Sequence, residues 1–548
     1  MVMINSSVKE MNELIGRKLT LKAYEELCFR YGIDLDSDGT FLNFEITSDR
    51  TEMVSKHSIA FLLGQLLGAK VQRDERLRVI REKRITVRKT KRQYVNLLMV
   101  KLRKPVGENL NELIAIQEKL DNTVGRGRLN AAIGLFDIDK LKFPFVYEER
   151  EKSKVEFVPI NEERAKKFGE ILKETRQGRI YSKLTGDRPI VWTEGNGEIF
   201  AMPPIINAAN SAVEAGTKNI FIDITGTDKA SVNSLTTALI FNMQFFGRVD
   251  IIKPAMESKE LDTSFSLGIT YFYINEEHVS NLLGIRIKKM EIIKILNSLD
   301  YKTKTTGTDI RVTVPFYRQD IIHQVDIIDD IMRHHGVNNI VAREPKTLTI
   351  GAKLPYSAAL EGIRDVLVGF GYQETDMNVL TNENFQFRKM HFNGSGYAPL
   401  IDIKSGEITM ARVNVFPELL RFVSNNLNKR FPQKLFDIGY VLELDPKTDV
   451  EFANALRLSI MDCGLETNFS SVKAALDKIF KEVFGSEELK IDASDEKFKN
   501  TFIGGRHGTI IFKGKPIGMI GELHPRVLNE FGIELPVSVA EVSLSALL

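Results

Sequence analysis

The chain has 548 residues, too many for a single hydrophobic core and enough for three or four domains. Hydrophobic residues make up 43% and charged residues 27%, ordinary values for a globular protein in water, and no apolar run approaches the roughly 18 residues of a membrane helix. A net charge of +2 excludes a nucleic-acid-binding charge spread over the whole chain, so any such surface must be local.

The opening residues, MVMINSSVKEMNEL, lack the apolar core of a signal peptide, and two cysteines, Cys28 and Cys463, make no disulfide framework. Both features point to a reducing cytoplasm. Residues 1–84 read as a small module of helix, helix, a hairpin turning at Gly39 and a final helix, followed by a basic strand. From Arg73 to Arg92 ten Lys and Arg residues face only Asp74, Glu75 and Glu82. Part of this run, RITVRKTKRQYVNLLMV, alternates like a strand with one basic face. It is either a sheet edge guarded by cations or a phosphate-contacting surface.

Residues 85–266 are too many for a loop and read as an inserted mixed α/β domain. Within it, Arg188 to Asp228 gives strand, Gly turn, strand, a Met202-Pro203-Pro204 corner and a buried strand, Ile220 to Ile224. Polar groups gather at its corners: Asn207 and Ser211 after the prolines, then Asp223, Thr225, Thr227 and Asp228. Asp223 lies inside an apolar strand, where an unpaired carboxylate is costly. It is therefore satisfied by hydrogen bonds or faces a pocket.

Residues 267–341 repeat the first module without a gap. Gly16 and Gly284, Gly39 and Gly307, Arg50 and Arg318, and Gly68 and Gly336 all differ by 268. The apolar positions follow, with Leu42, Phe44 and Ile46 matching Ile310, Val312 and Val314. Only the second copy has an acidic final helix. Asp320 stands where an N-cap belongs, before a helix opened by Ile321 with Ile321, Val325, Ile328 and Met332 as its buried stripe. Asp326, Asp329 and Asp330 follow on the polar side, and their counterparts in the first copy are Ser58, Phe61 and Leu62. The module's core therefore does not require these acids. They form a solvated face, a Mg²⁺ site, or a patch neutralised by cations of another chain.

After a polar connection, residues 354–548 read as an antiparallel sheet with helices packed against it. The glycine stretches, including GRGR, do not fit a dinucleotide fingerprint, and there is no P-loop and no zinc spacing. His507 and His524 lack a nucleophile partner and read as structural.

Several motifs in order resemble the β subunit of phenylalanyl-tRNA synthetase in its archaeal and eukaryotic form. They are SDRTEMVSKHSIAFLLGQLLG, FAMPPIIN with FIDITGTD, VPFYRQDIIHQVDIIDDI with HHGVNNI, KLFDIGYVLEL, and MIGELHPRVLNEFGIELPV, and they span the chain. The resemblance implies an α+β multidomain protein: two module copies, an editing-like domain, and a catalytically silent class II synthetase-like core. It implies an (αβ)₂ heterotetramer in which α uses ATP and phenylalanine to charge tRNA-Phe. It also implies a Mg²⁺ site at the α contact on Asp320, Asp326, Asp329 and Asp330, and hydrolysis of Tyr-tRNA-Phe in a pocket lined by Asn207, Asp223, Thr225 and Asp228. Two residues depart from the family pattern. Asp329 stands where Glu is usual, and Ala201 where many relatives have Ser, which bears on the strength of editing. The competing readings are a stand-alone RNA-binding module and a trans-acting aminoacyl-tRNA hydrolase.

Overall fold

Each copy of the repeat is built on a strand that the sequence pattern does not announce. In the first copy Val2–Ser7 pairs antiparallel with Phe41–Ile46, which pairs with Asp34–Ser37. In the second, Tyr271–Ile274, Asp309–Thr313 and Lys302–Thr306 take the same places. The computed structural model describes residues 2–257, 265–344, 349–394, 396–401, 406–493 and 498–548, and the chain divides into the units Met1–Glu344 and Pro345–Leu548.

Three helices cover each small sheet: Val8–Ile15, Leu21–Tyr31 and Lys56–Leu67 in the first copy, Glu276–Leu283, Lys289–Ser298 and Gln324–His335 in the second. Ser7, Thr20, Ser55 and Asn275 cap four of them by accepting from backbone N–H groups. Gly16 and its repeat mate Gly284 end the first helices at φ 75° and 70°, a conformation that side chains with a Cβ resist.

The two copies share one core. Tyr24, Leu42, Phe44 and Leu62 pack in the same cluster as Ile292, Ile310, Val312 and Ile328. The Gln319 amide donates to the Thr51 hydroxyl at 3.2 Å. These positions are repeat mates, so the two copies meet through equivalent residues, at the axis of the repeat. Beside the axis are two buried ion pairs that are also mates, Arg50–Glu52 at 2.7 Å and Arg318–Asp320 at 2.9 Å. The second copy adds Asp330, which accepts from Arg318 at 2.5 Å and from the Tyr301 hydroxyl at 2.6 Å.

The inserted domain docks on this axis. The Asn242 side chain donates to the Glu52 carbonyl at 3.0 Å and accepts from the Ser55 hydroxyl at 2.7 Å. Gln319 also donates to the Ser234 carbonyl at 3.1 Å. The domain is a nine-stranded sheet in the order Ile206–Asn207, Ile199–Met202, Ile190–Thr193, Phe145–Glu149, Leu77–Val87, Gly247–Met256, Tyr94–Leu102, Asn219–Gly226, Ala131–Asp137. Helices Leu110–Asn122 and Lys229–Met243 cover one face through Leu113, Ile116, Leu235 and Leu239. An aromatic cluster of Phe136, Phe145, Tyr147, Trp192, Phe200 and Phe221 fills the other.

The basic segment corrects two expectations. It is two strands, ending at Val87 and resuming at Tyr94, and its first strand starts at Leu77 within the inserted domain's sheet rather than closing the first module. Among the described residues, residues 77–82 pair only with Gly247–Met256, so this half is an open edge there, with Val79 and Ile80 exposed among cations. That is the arrangement of a guarded edge.

In the second unit seven strands run in the order Gln373–Glu374, Gln433–Leu444, Phe452–Cys463, Val537–Ser543, Lys515–Leu523, Phe502–Phe512, Leu489–Asp492. Every pairing is antiparallel except the first. Pro355–Gly369 and Phe469–Val483 pack in one core cluster, Phe416–Asn425 and Pro525–Glu530 in another. Among the described residues no helix is long and apolar enough to cross a membrane.

Arg318 is the only cation bonded to Asp320 and Asp330 among the described residues, so its loss strands two carboxylates at the axis. Arg318→Met is expected to lower stability by about 3–5 kcal/mol, read as the urea midpoint. Arg318→Met with Asp320→Asn and Asp330→Leu should recover most of that loss.

Candidate functional site

The candidate hydrolytic residues sit at two depths: Asp223 and Thr225 are buried, while Asn207 and Asp228 are partly exposed. Asp223 and Thr225 share a face of the strand Asn219–Gly226 and are both buried. Asp223 accepts from the Trp192 indole N–H at 2.7 Å. Its cross-strand partner is Gly134, where a Cβ would come within 2.2 Å of the carboxylate. Burial, relieved in part by Trp192, the Gly134 N–H and Arg92, pushes the Asp223 carboxyl up to about 6.

Behind this acid the polar groups belong to the backbone. Arg92 is buried and donates to the Thr225 carbonyl at 2.8 Å and the Arg128 carbonyl at 3.1 Å, and its own carbonyl accepts from the Tyr147 hydroxyl at 3.1 Å. Arg92 Nε and the Thr225 hydroxyl are buried without hydrogen-bond partners. Asp228 caps the helix Lys229–Met243, accepting from the Ser231 N–H at 2.8 Å and hydroxyl at 2.6 Å. Asn207 sits in register with Ala201, which pairs with Trp192, and its amide donates to the Leu135 carbonyl at 3.2 Å.

Sequence reasoning missed the loop that joins these pieces, the GRGR stretch set aside as an imperfect nucleotide motif. Arg126, Gly127 and Arg128 lie at φ 50°, 62° and 68°, three successive left-handed residues. For the two arginines this conformation is strained and persists only because the surroundings hold it. Arg128 binds Asp121 at 2.9 Å, donates to the carbonyls of Pro204 and Ile205 at 3.0 and 3.1 Å, and stacks over Tyr181 at 4.4 Å. Thr227 N–H donates to Asn130 at 2.9 Å. The loop thus ties the proline corner to the end of the strand Asn219–Gly226 and leaves Arg126 and Thr227 exposed. The signals available were the chain's single tryptophan, whose N–H needs an acceptor when buried, and two arginines interleaved with glycine.

The acidic helix also differs from expectation. It starts at Gln324, its N-cap is His323 rather than Asp320, and its buried residues are Ile327, Ile328, Asp330 and Ile331. Ile321 is buried just ahead of it, whereas Val325 is 40% exposed. Asp326 accepts from the N–H groups of Ile322 and His323 at 2.9 and 2.8 Å, a task of a first-turn acid. Asp329 pairs with Arg333 at 2.6 Å. Both oxygens of Asp320 and of Asp330 are taken by Arg318. Burial raises the Asp320 carboxyl, but the bonds and charge of Arg318 outweigh it and hold it below the usual range. The neutralising cation is therefore in the same chain. Among the described residues no three His, Cys, Asp or Glu side chains are placed to hold a metal ion. Asp326 and Asp329 remain half-exposed, each with one carboxylate oxygen uncommitted.

In the second unit a cleft of about 670 Å³ is lined by Phe387, His391, Asn414, Glu443 and Arg457, among others. Arg457 is fully engaged, by Glu443 at 2.5 Å, Glu541 at 2.7 Å and Asn414 at 3.0 Å. A guanidinium neutralised by two carboxylates is a poor clamp for phosphates.

Three family models match the chain: a B3/4 domain over residues 84–249, a tRNA synthetase B5 domain over 272–337, and a phenylalanyl-tRNA synthetase beta chain CLM domain over 340–544. The chain is 30% identical to the phenylalanine–tRNA ligase beta subunit of Pyrococcus furiosus over 98% of both chains. It is 28% identical to that of Methanocella arvoryzae over 100% of both. Its fold is similar to that of an N-terminal fragment of the Pyrococcus horikoshii beta subunit, with a TM-score of 0.56, 24% identity, and coverage of 61% of this chain and 99% of the fragment.

Folded Asp223 keeps its proton to a higher pH than in the unfolded chain, so its burial destabilises the fold increasingly as pH rises from about 4 to about 6. Across that window the natural chain should lose about 2–3 kcal/mol relative to Asp223→Asn, followed by chemical denaturation at stepped pH. Flat difference curves would mean that the acid is ionised throughout.

Proposed function

The chain belongs to the family of phenylalanine–tRNA ligase β subunits, and from that premise we propose that it joins a catalytic α subunit in an (αβ)₂ assembly that charges tRNA-Phe. The observation that carries this reading is the near full-length match to archaeal β subunits. ATP and phenylalanine are handled by α. The second unit serves as a silent partner core, in keeping with Arg457 being neutralised in its cleft.

The inserted domain hydrolyses Tyr-tRNA-Phe. Asn207, Asp223, Thr225 and Asp228 shape this site, with Asp223 acting through Trp192 and the strand rather than on the ester itself, because it is 1% exposed. The strained Arg126–Arg128 loop and exposed Thr227 form the side that meets the RNA end. A site built to hydrogen-bond the tyrosine hydroxyl discriminates strongly against phenylalanine, which lacks it.

Mg²⁺ fits this chain only in part. Asp326 and Asp329 offer one free oxygen each, within the one or two carboxylates that a largely hydrated Mg²⁺ takes directly. Asp320 and Asp330 hold Arg318 and thereby the helix that presents them. When bound, the ion would supply positive charge between these two acids and the α subunit.

Co-expression with α should yield a stable heterotetramer by mass measurement, and Asp326→Ala with Asp329→Ala should weaken its assembly about 10-fold and remove its response to Mg²⁺. A lone monomer under all conditions would favour a stand-alone RNA-binding module. Asp223→Asn should slow deacylation of Tyr-tRNA-Phe about 10-fold or more while charging with phenylalanine survives. Undiminished deacylation would leave Asp223 a purely architectural role.

A further inference from the structure

The two small sheets have the same backbone and inverted outer faces. In the first copy the solvent side carries Met3 and Asn5, then Asn43 and Glu45, then Asp34 and Asp36. Their repeat mates are Tyr271 and Tyr273, Arg311 and Thr313, Lys302 and Lys304. The six positions hold three acids and no cation in the first copy, and three cations, two tyrosines and a threonine in the second. The inner positions of both sheets stay apolar and buried, among them Leu42 and Phe44 against Ile310 and Val312. The core does not require the exchange.

The tyrosines are open to solvent, Tyr271 at 46% and Tyr273 at 47%. Their rings meet edge to face at 5.9 Å, and the Arg311 guanidinium lies over Tyr271 at 4.0 Å. Register places Tyr273, Arg311 and Lys304 in one row across the sheet, and Tyr271, Thr313 and Lys302 in the next. Neither Lys304 nor Arg311 pairs with a carboxylate among the described residues, in contrast to Arg76 and Arg84 of the basic edge strand, which pair with Asp74 and Glu82. Side chains two apart on a strand are about 7 Å apart, which suits two unstacked bases, and the flanking cations suit the phosphates between them.

We infer that the outer face of the sheet Tyr271–Ile274, Asp309–Thr313, Lys302–Thr306 binds unpaired nucleotides of an RNA, with Tyr271 and Tyr273 as stacking platforms and Lys302, Lys304 and Arg311 on the backbone. Stacking on a sheet face is how single strands are read without a groove. Lys304 and Arg311, which pair with no carboxylate among the described residues, favour a polyanion, and the choice of RNA over DNA rests on the ligase reading.

The test uses the full chain in its assembly with α and a fluorescein-labelled single-stranded 12-nucleotide RNA. Tyr271→Ala with Tyr273→Ala should weaken binding about 10-fold or more, and Lys302→Glu with Lys304→Glu should do so with a reduced salt dependence. Met3→Ala with Asn5→Ala, the mates in the acidic sheet, should leave binding unchanged. Unaltered affinity in both second-copy variants, with unchanged thermal melting, overturns the inference. So does equal binding of the same RNA as a duplex, or loss of assembly with α while RNA affinity is intact. A failed result leaves phenylalanine charging as a separate measurement, so the two readings fall independently.

Discussion

Charge buried where the two copies of the repeat meet governs the first unit. Arg50 with Glu52, and Arg318 with Asp320 and Asp330, meet where the two copies of the repeat share a core. Two guanidiniums and three carboxylates in that place are tolerable only if each finds its partner. Burial raises the Glu52 carboxyl even beside Arg50, a sign of how little water reaches the axis. The same residues carry the attachment of the inserted domain, because the Glu52 carbonyl and Gln319 take hydrogen bonds from or to its longest helix. Disturbing the axis therefore moves both the acidic helix and the nine-stranded sheet.

Duplication separates what the core requires from what the surface offers. Most buried repeat mates keep their apolar character, as Phe44 and Val312 do. They diverge outside: the first copy presents acids on its sheet, and the second presents tyrosines and cations there and acids on its last helix. Leu62, buried at the place of Asp330, shows that even an inward position can change character when a neighbour such as Arg318 is available to bind it.

In the inserted domain the chemistry lies under the surface. Asp223 holds Trp192, Arg128 holds Asp121 and the proline corner, and Arg92 knits strand carbonyls together. Burial raises the Asp121 carboxyl to about 7, with Arg128 opposing, as it raises Asp223 to about 6. A rigid frame of this kind fixes the open rim, Arg126 and Thr227, to within the tolerance that a bound ester needs.

The repeat, the antiparallel character of the second unit and the family were legible along the chain, because periodicity, glycine positions and motif order are local and additive signals. The sequence also marked Asp223 as a carboxylate that must be satisfied. Which group satisfies it was undecided, since Trp192 is 31 residues away and meets it only once the strands pair. The four aspartates looked like one patch because they lie close along the chain. Tertiary structure split them: Arg318 folds back onto Asp320 and Asp330, and the helix begins three residues later than the pattern implies, which turns Asp326 and Asp329 outward. Spacing along a chain limits which side chains can be neighbours, and only the packed fold decides which oxygens remain free.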